Sequence, residues 1–427
     1  MNVDYDHSQN LRTTGGNRAA RAFPNHMLVS PQLATPLIAR RSAYRHRTAR
    51  LRVLHFASVI NRHDFIDTIV RHLDRSRFFP MACTFSKTSN IQTTDYEGKI
   101  PNFSLEVTGK RAYGQAIFRL SSILREQEVD ILHAHHYHEA LIGIVAAAMV
   151  TGCRVIVGRH YHDEIYLLPQ SLRRSLYLAL EGVVNRSAKA IVVPSSVIRK
   201  LMVEEQHVQQ EKIQVIPYGF EFNAQKYKRC ARQEMENILT EFAIPQGRFV
   251  FGNFGRHHKW KGQEALLRAY ADFVKQYLDT TLLMVGDGPD GASLRRLAEE
   301  LGLLRSGMVI FAGWRRDAWR ILEAVNVVVH PTLHEALPQL MVEAMAKAKP
   351  LIITNVSGAC DHARHLENAY VISEVNHRSI YAGLAWMYHN RAASQVLAER
   401  ASVYIRSELS IERIIPRFEE LYERVAC

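Results

Sequence analysis

At 427 residues the chain is too long for one ordinary hydrophobic core, which predicts two domains. With 47% hydrophobic and 22% charged residues it has the composition of a soluble globular protein, and its longest apolar run, residues 140–153, is too short for a bilayer span of about 20 residues. Five scattered cysteines, with no CxxC or Cys/His ligand spacing, favour reduced thiols in a cytoplasmic compartment and no structural zinc.

The net charge of +12 is unevenly spread, since residues 1–52 hold nine arginines and two aspartates. Rich also in Ser, Thr, Ala and Pro, residues 1–48 read as a disordered basic arm. Attraction to an anionic surface and an organellar transit peptide fit the same composition, while no apolar segment of a secretory signal stands near the N-terminus. Regular structure begins at Arg50, with LRVLHFASV as a first buried strand and a helix near residues 63–73. Strand-like runs follow at FFPMACTF and FSLEV, and RAYGQAIFRLSSILREQ has helical spacing. VDILHAHH is a strand ending in histidines, EALIGIVAAAMVTG a helix, and CRVIVGRHYH a strand. SLRRSLYLALEGVVNRSA is a helix, AKAIVVPSS a strand, VIRKLMVEEQ a helix, and KIQVIPYGF a strand ending at a Tyr-Gly turn.

The charged stretch 226–248 reads as a linker, and a second series of alternating elements begins after it. FVFGNFG, TTLLMVGDGP, MVIFAGW, NVVVHPT and KPLIITNV are its strands, separated by helices and followed by helices to the C-terminus. Such alternation predicts parallel sheets of βαβ units, hence two successive doubly wound α/β halves. In such sheets ligands bind beyond the carboxyl ends of the strands, so the loops there carry the functional weight.

Four of these loops in the second half hold unusual residues. GNFGRHHKWKG puts Arg256 and Lys261 between Gly255 and Gly262, two cations and close-approach glycines that suit a diphosphate; a solvated basic turn is the plainer reading. GDGP offers Gly286 and Gly288, and AGW offers Gly313 with Trp314, which either meets a flat base or packs between domains. In HPTLHEALPQLMVEAMAKAKP, Pro338 fits the first turn of a helix, so the free N–H groups of Gln339, Leu340 and their neighbours would make an anion site. Glu335 lies in the loop before that helix and Glu343 inside it, each suited to accept sugar hydroxyls. As plainer readings, Glu335 favours the helix N-terminus electrostatically and Glu343 is a solvated helix residue. Together the cations, glycines and acids point to one ligand made of nucleotide, diphosphate and sugar.

These motifs, GR-x4-KG at 255–262, VGDGP at 285–289, HPTLHEALPQLMVEAMA at 330–346 with its E-x7-E acids, and PSSVIRKLM…KIQVIPYGF at 194–220, resemble the retaining family 4 glycosyltransferases with the GT-B fold. The similarity covers roughly residues 50–425. It implies two Rossmann-like doubly wound domains facing each other across a cleft: an acceptor domain at 49–225, the linker, a donor domain at 249–404, and a C-terminal helix, 405–427, packing back on the first domain. It further implies that Arg256 and Lys261 hold the donor diphosphate and stabilise its developing charge, that Glu335 binds donor-sugar hydroxyls on the reacting face, and that Glu343 holds the ribose. Ala336, Leu337, Pro338, Gln339 and Leu340 complete the donor loop. No metal or other cofactor is implied, because the cations and the helix N-terminus replace it, in keeping with the lack of an Asp-x-Asp motif near the cleft.

In HAHHYHE, where a metal cluster is possible by residue type, His135 resembles the family's active-site histidine facing the donor sugar. His160 and His162 follow the next strand and are candidates for the acceptor pocket. Two departures stand out. The loop after the first strand, SVINRHDF, has no glycine, which leaves Asn61 or Arg62 to contact phosphate or acceptor; SGACD offers one glycine and Asp361 in place of paired glycines and a glutamate. The helix SLRRSLYLALEGVVNR joins Arg173 and Arg174 to a leucine-rich face, which reads as an ordinary core helix or as one lying on an anionic bilayer. The expectation is therefore a cytoplasmic transferase moving sugar from a nucleotide-diphosphate sugar to a glycan or lipid-linked acceptor with retention. A catalytically silent nucleotide-sugar-binding partner is the second reading, and nucleic-acid binding is disfavoured because the positive excess sits in the arm.

Overall fold

The computed structural model describes residues 50–60, 65–85, 100–107, 109–160 and 170–427. The expected arm, Asn61, Arg62 and His162 lie outside the described residues. In chain order the first half comprises β1 (Leu51–Ala57), α1 (Phe65–His72), β2 (Phe78–Thr84), β3 (Asn102–Ser104), α2 (Tyr113–Glu126), β4 (Ile131–His135), α3 (His136–Ala148), β5 (Arg154–Gly158), α4 (Leu172–Ser187), β6 (Ala190–Val193), α5 (Ser196–Glu204) and β7 (Ile213–Val215). The second comprises α6 (Arg232–Glu241), β8 (Phe249–Phe254), α7 (Gln263–Val274), β9 (Thr280–Val285), α8 (Gly291–Glu300), β10 (Val309–Gly313), α9 (Ala318–Ala324), β11 (Val327–His330), α10 (Gln339–Ala346), β12 (Leu351–Thr354), β13 (Tyr370–Ile372), α11 (His377–His389), α12 (Arg391–Glu408) and α13 (Ile411–Ala426).

Two parallel sheets result, ordered β3-β2-β1-β4-β5-β6-β7 and β10-β9-β8-β11-β12-β13. Their inner strands are near-continuous apolar runs because helices cover both faces; β8, β9, β11 and β12 are buried along their whole length. In each sheet the order reverses beside the first strand, between β1 and β4 and between β8 and β11, which opens a crevice at the carboxyl ends.

Two elements differ from the sequence expectation. The stretch read as a linker contains α6, whose polar sequence hides a helix held by Arg232–Glu236 and Gln233–Asn237 pairs one turn apart, with Ile238 as its buried residue. After β12 the sequence suggests only helices, yet Tyr370–Ile372 pairs in parallel with Ile352–Thr354 as an edge strand. Three residues give too short a run for periodicity to show.

The chain passes between the halves twice. Phe220 N–H donates to Leu409 O at 2.8 Å and Ile411 N–H to Phe220 O at 3.3 Å, so the two crossings run side by side. Beyond them α13 lies on α1 and β4 of the first half. Its Ile414, Ile415, Phe418, Leu421 and Tyr422 recur at helical spacing and are buried. Polar contacts fix its far end: Glu419 accepts from Asp74 N–H at 2.8 Å and from Arg77 at 3.0 Å. One continuous apolar core links the first sheet, the crossings, α12, α13 and the second sheet.

Candidate active site

The loops after β8, β9, β11 and β12 meet at the carboxyl edge of the second sheet. The first two are locked together by backbone bonds from Gly255 N–H to Val285 O at 2.9 Å and from His257 N–H to Asp287 O at 3.0 Å. Gly286 has φ +142°, and a β-carbon there would fall 1.9 Å from Gly255 O, so this approach needs glycine. Gly288 is similarly tight, with Arg256 Cγ 3.0 Å from where its β-carbon would stand. Gly286 N–H also donates to Gly313 O at 2.8 Å, which brings in the loop after β10, where Trp314 stands 67% exposed.

A buried polar chain sets the spacing between β8 and β11. Gln263 donates to Asn253 Oδ1 at 3.1 Å, and Asn253 donates to Val329 O at 2.9 Å. Gly262, at φ +65°, starts α7 against Pro331 O, and Leu333 N–H donates to Trp260 O at 2.7 Å. Lys261 and the loop after β11 are thereby held side by side.

Lys261 Nζ pairs with Glu335 Oε1, and His330 Nε2 lies 3.4 Å from the same oxygen. Burial pushes the Glu335 carboxyl up, but His330 and Lys261 outweigh it and hold it down at about 2. Glu335 is therefore a carboxylate at neutral pH, an acceptor of hydroxyl hydrogen bonds and not a proton donor. Arg256 is exposed and forms no ion pair or hydrogen bond with the described residues.

Pro338 is the N-cap of α10, one position earlier than the first-turn placement expected from sequence. The first backbone bond of this turn runs from Val342 N–H to Pro338 O, so the amides of Gln339, Leu340 and Met341 come before it. Gln339 is exposed, Leu340 half-buried, and Leu337 buried beneath them. Gly358 backs this loop so closely that a β-carbon would sit 2.2 Å from Ala336 O and 2.7 Å from Leu337 Cα. Glu343 stands further along α10, with Lys226 Nζ 3.8 Å away. Burial pushes its carboxyl up, against the pull of Lys226 and Lys347. Lys226 was not singled out by the sequence, because its link to Glu343 spans 117 positions and its own stretch reads only as charged linker.

The wall contributed by the first half faces Glu335 through Tyr218, whose hydroxyl is pushed up by burial and by the Glu335 charge. Phe65 stacks on Tyr218 at 4.5 Å and lies 4.1 Å from the His160 ring. His160 Nε2 contacts His135 Nδ1 at 2.9 Å, and His135 Nε2 contacts His55 Nδ1 at 3.1 Å. Both nitrogens of the fully buried His135 are thus engaged by other imidazoles, which burial drives well below the usual histidine range. His55, His133 and His135 bring ligand-type atoms within 4.8 Å of one another, the one such His, Cys or acid group among the described residues. His55 and His330 were visible in the quoted strands LRVLHFASV and NVVVHPT, yet nothing there distinguished them from ordinary strand residues.

Asp361, noted from sequence as a departure, bridges the halves: Ser196 N–H donates to its Oδ2 at 2.7 Å, and the Ser196 hydroxyl also bonds it. It thereby caps the first turn of α5 from the opposite domain.

The family pattern described as Glycosyl transferases group 1 matches residues 234–403, and that of Glycosyltransferase Family 4 matches residues 64–223. A 2-deoxystreptamine glucosyltransferase of Streptomyces kanamyceticus is 26% identical over 288 residues, which span 64% of this chain and 73% of that protein. The UDP-Gal:alpha-D-GlcNAc-diphosphoundecaprenol alpha-1,3-galactosyltransferase of Escherichia coli is 24% identical over 57% of this chain and 62% of its own length, less than two thirds of that relative. The crystal structure of Anabaena Alr3699/HepE in complex with UDP superposes with a TM-score of 0.74 at 18% identity, covering 88% of this chain and 100% of that one, a likeness of fold. With matching patterns across both halves and a GT-B arrangement of its two sheets, the chain belongs to the family 4, group 1 glycosyltransferases.

Proposed function

We propose that the protein transfers a sugar from a nucleoside-diphosphate sugar to a hydroxyl of a glycan or lipid-linked glycan, with retention and without a divalent metal. The observation that carries this reading is the Lys261–Glu335 pair, with Glu335 in the loop before the open first turn of α10 and Arg256 exposed and unengaged in the same loop as Lys261. Positive charge from Arg256, Lys261 and the α10 N-terminus would stabilise the charge that a diphosphate leaving group gains. Glu335, ionised and held at its side, accepts hydroxyls of the transferred sugar, and Glu343 accepts those of the ribose once Lys226 gives way. Trp314, exposed after β10, would meet the base. A uridine nucleotide is the first donor to try, since UDP is bound in the Anabaena neighbour.

A panel of nucleotide sugars incubated with purified protein in EDTA tests the reading, with products followed by NMR. Turnover of at least one donor, an α-anomeric product from an α-donor, and loss of turnover in Glu335→Gln are expected. No donor turned over by the wild type would refute transfer; inversion or dependence on added metal would refute those parts of it. Binding of donor at ordinary affinity without transfer to any acceptor extract would favour the silent-partner reading instead.

A further inference from the structure

Tyr422 on α13 reaches the histidine cluster from the last turns of the chain. Its side chain is fully buried, and its hydroxyl lies 2.8 Å from His133 Nδ1 and 3.4 Å from His55 Nε2. With the two contacts already described, this makes one unbranched chain: His160–His135–His55–Tyr422–His133. Its members come from β1, β4, the loop after β5 and α13, elements brought together only by the fold.

A neutral imidazole has one N–H and one lone-pair nitrogen, and a tyrosine hydroxyl donates once while accepting. If each of the four links holds one proton and the buried Tyr422 hydroxyl uses its own proton within the chain, choosing the donor at one end decides every other link. Two arrangements satisfy them all. In one, His160 Nε2–H donates to His135, His135 to His55, His55 to Tyr422, and Tyr422 to His133; in the other every proton points the opposite way. The outer atoms, His160 Nδ1 and His133 Nε2, have no hydrogen-bond partner among the described residues. Burial of the whole chain disfavours an extra proton on any member.

Gly158 makes this crowding possible. A β-carbon there would fall 2.5 Å from His160 Nε2, 2.8 Å from His135 Nδ1 and 3.2 Å from His133 Nε2.

We propose that Tyr422 is a positioning residue, which couples the tautomers of His55 and His133 so that His135, bonded to His55, holds its proton in concert with both. The C-terminal helix thereby completes the first-half wall of the site as well as anchoring the chain. This rests on the reading of His135 as part of the reaction site. A purely structural Tyr422 would serve by its ring alone, which Tyr422→Phe preserves.

The test is histidine-selective ¹⁵N NMR of the full chain at neutral pH, with His55, His133, His135 and His160 assigned by single His→Asn variants, combined with steady-state kinetics. In the wild type each of the four shows one protonated and one lone-pair nitrogen. In Tyr422→Phe the His55 and His133 signals move toward exchange averages, and kcat falls about ten-fold with donor KM little changed. A second break, His133→Gln, is expected to move the His55 signals in the same sense. Unchanged ¹⁵N shifts in a folded Tyr422→Phe, or a stoichiometric metal ion bound to the purified protein through His55, His133 and His135, would overturn the proposal. His135→Ala with wild-type kcat would instead overturn the reading of His135, whatever the spectra of Tyr422→Phe show.

Discussion

Arg256 and Lys261 carry the same charge five positions apart in one loop, yet the fold treats them differently. Lys261 is tied to Glu335, whereas Arg256 is exposed and makes no bond with the described residues. Arg256→Ala therefore removes nothing that the empty protein uses, and thermal unfolding is expected to stay within about 0.5 kcal/mol of wild type. If its guanidinium meets the leaving diphosphate, kcat/KM falls about 10²–10³-fold in the same variant. Steady-state kinetics and a melting curve on one preparation check both halves of that contrast. The residue scale was also where the sequence was most legible. GR-x4-KG and E-x7-E are local spacings, and a post-strand loop turns local spacing directly into proximity. Lys226 beside Glu343, Ser196 on Asp361, and Tyr422 among the histidines depend on contacts across many positions, which no periodicity encodes.

At the scale of elements, the loop before α10 depends on backing that offers no room. Gly358 faces backbone atoms of Ala336 and Leu337, which cannot swing aside as a flexible side chain would. Gly358→Ala is expected to displace the loop before α10 while leaving the buried sheet intact, raising donor KM about ten-fold with a small change in melting temperature. Unaltered donor KM would show that the loop adjusts. On the first half, α4 leaves Leu172 at 88% and Leu176 at 60% exposure, with Val183 further along, while Val184 is buried. Such an outward apolar face suits insertion at a membrane interface, which a lipid-linked acceptor would require. Binding to anionic over neutral liposomes at low salt is expected, weakened by Leu172→Ser with Leu176→Ser; equal binding to both vesicles would rule it out. The sequence showed the leucine-rich face of α4, but which of its residues the neighbouring helices cover was not written in the periodicity.

For the whole molecule, the two halves share a core, and the buried imidazoles lie within it. His55 is held down at about 3 by burial, and His133, His135 and His160 are lowered well below their ordinary value by burial and by one another. In the unfolded chain each titrates near 6.5, so below that pH the unfolded state binds more protons than the folded one. Their contribution to stability is thus complete above about pH 6.5 and declines as pH falls toward 3. Glu335, held at about 2, adds a second loss at lower pH, beginning below its unfolded value near 4.3. Melting temperatures are expected to fall steadily from pH 7 to pH 5, above the range of carboxylates that burial does not raise, and less steeply in a folded His55→Asn variant. A flat profile over that interval would contradict neutral burial of the cluster. The doubly wound architecture behind this was plain in the alternation of apolar strands and amphipathic helices. Missing from that pattern were β13, too short to register, and α6, whose polar surface resembles a linker.

The central claim is that Arg256, Lys261 and the first turn of α10 form a metal-free diphosphate site. Calorimetric titration of UDP into wild type and Arg256→Ala, both in EDTA, tests it most directly. Saturable one-site binding by the wild type, weakened about ten-fold or more in the variant, is the predicted result. No UDP binding by the wild type, binding only after divalent metal is restored, or equal affinity in both proteins would contradict it.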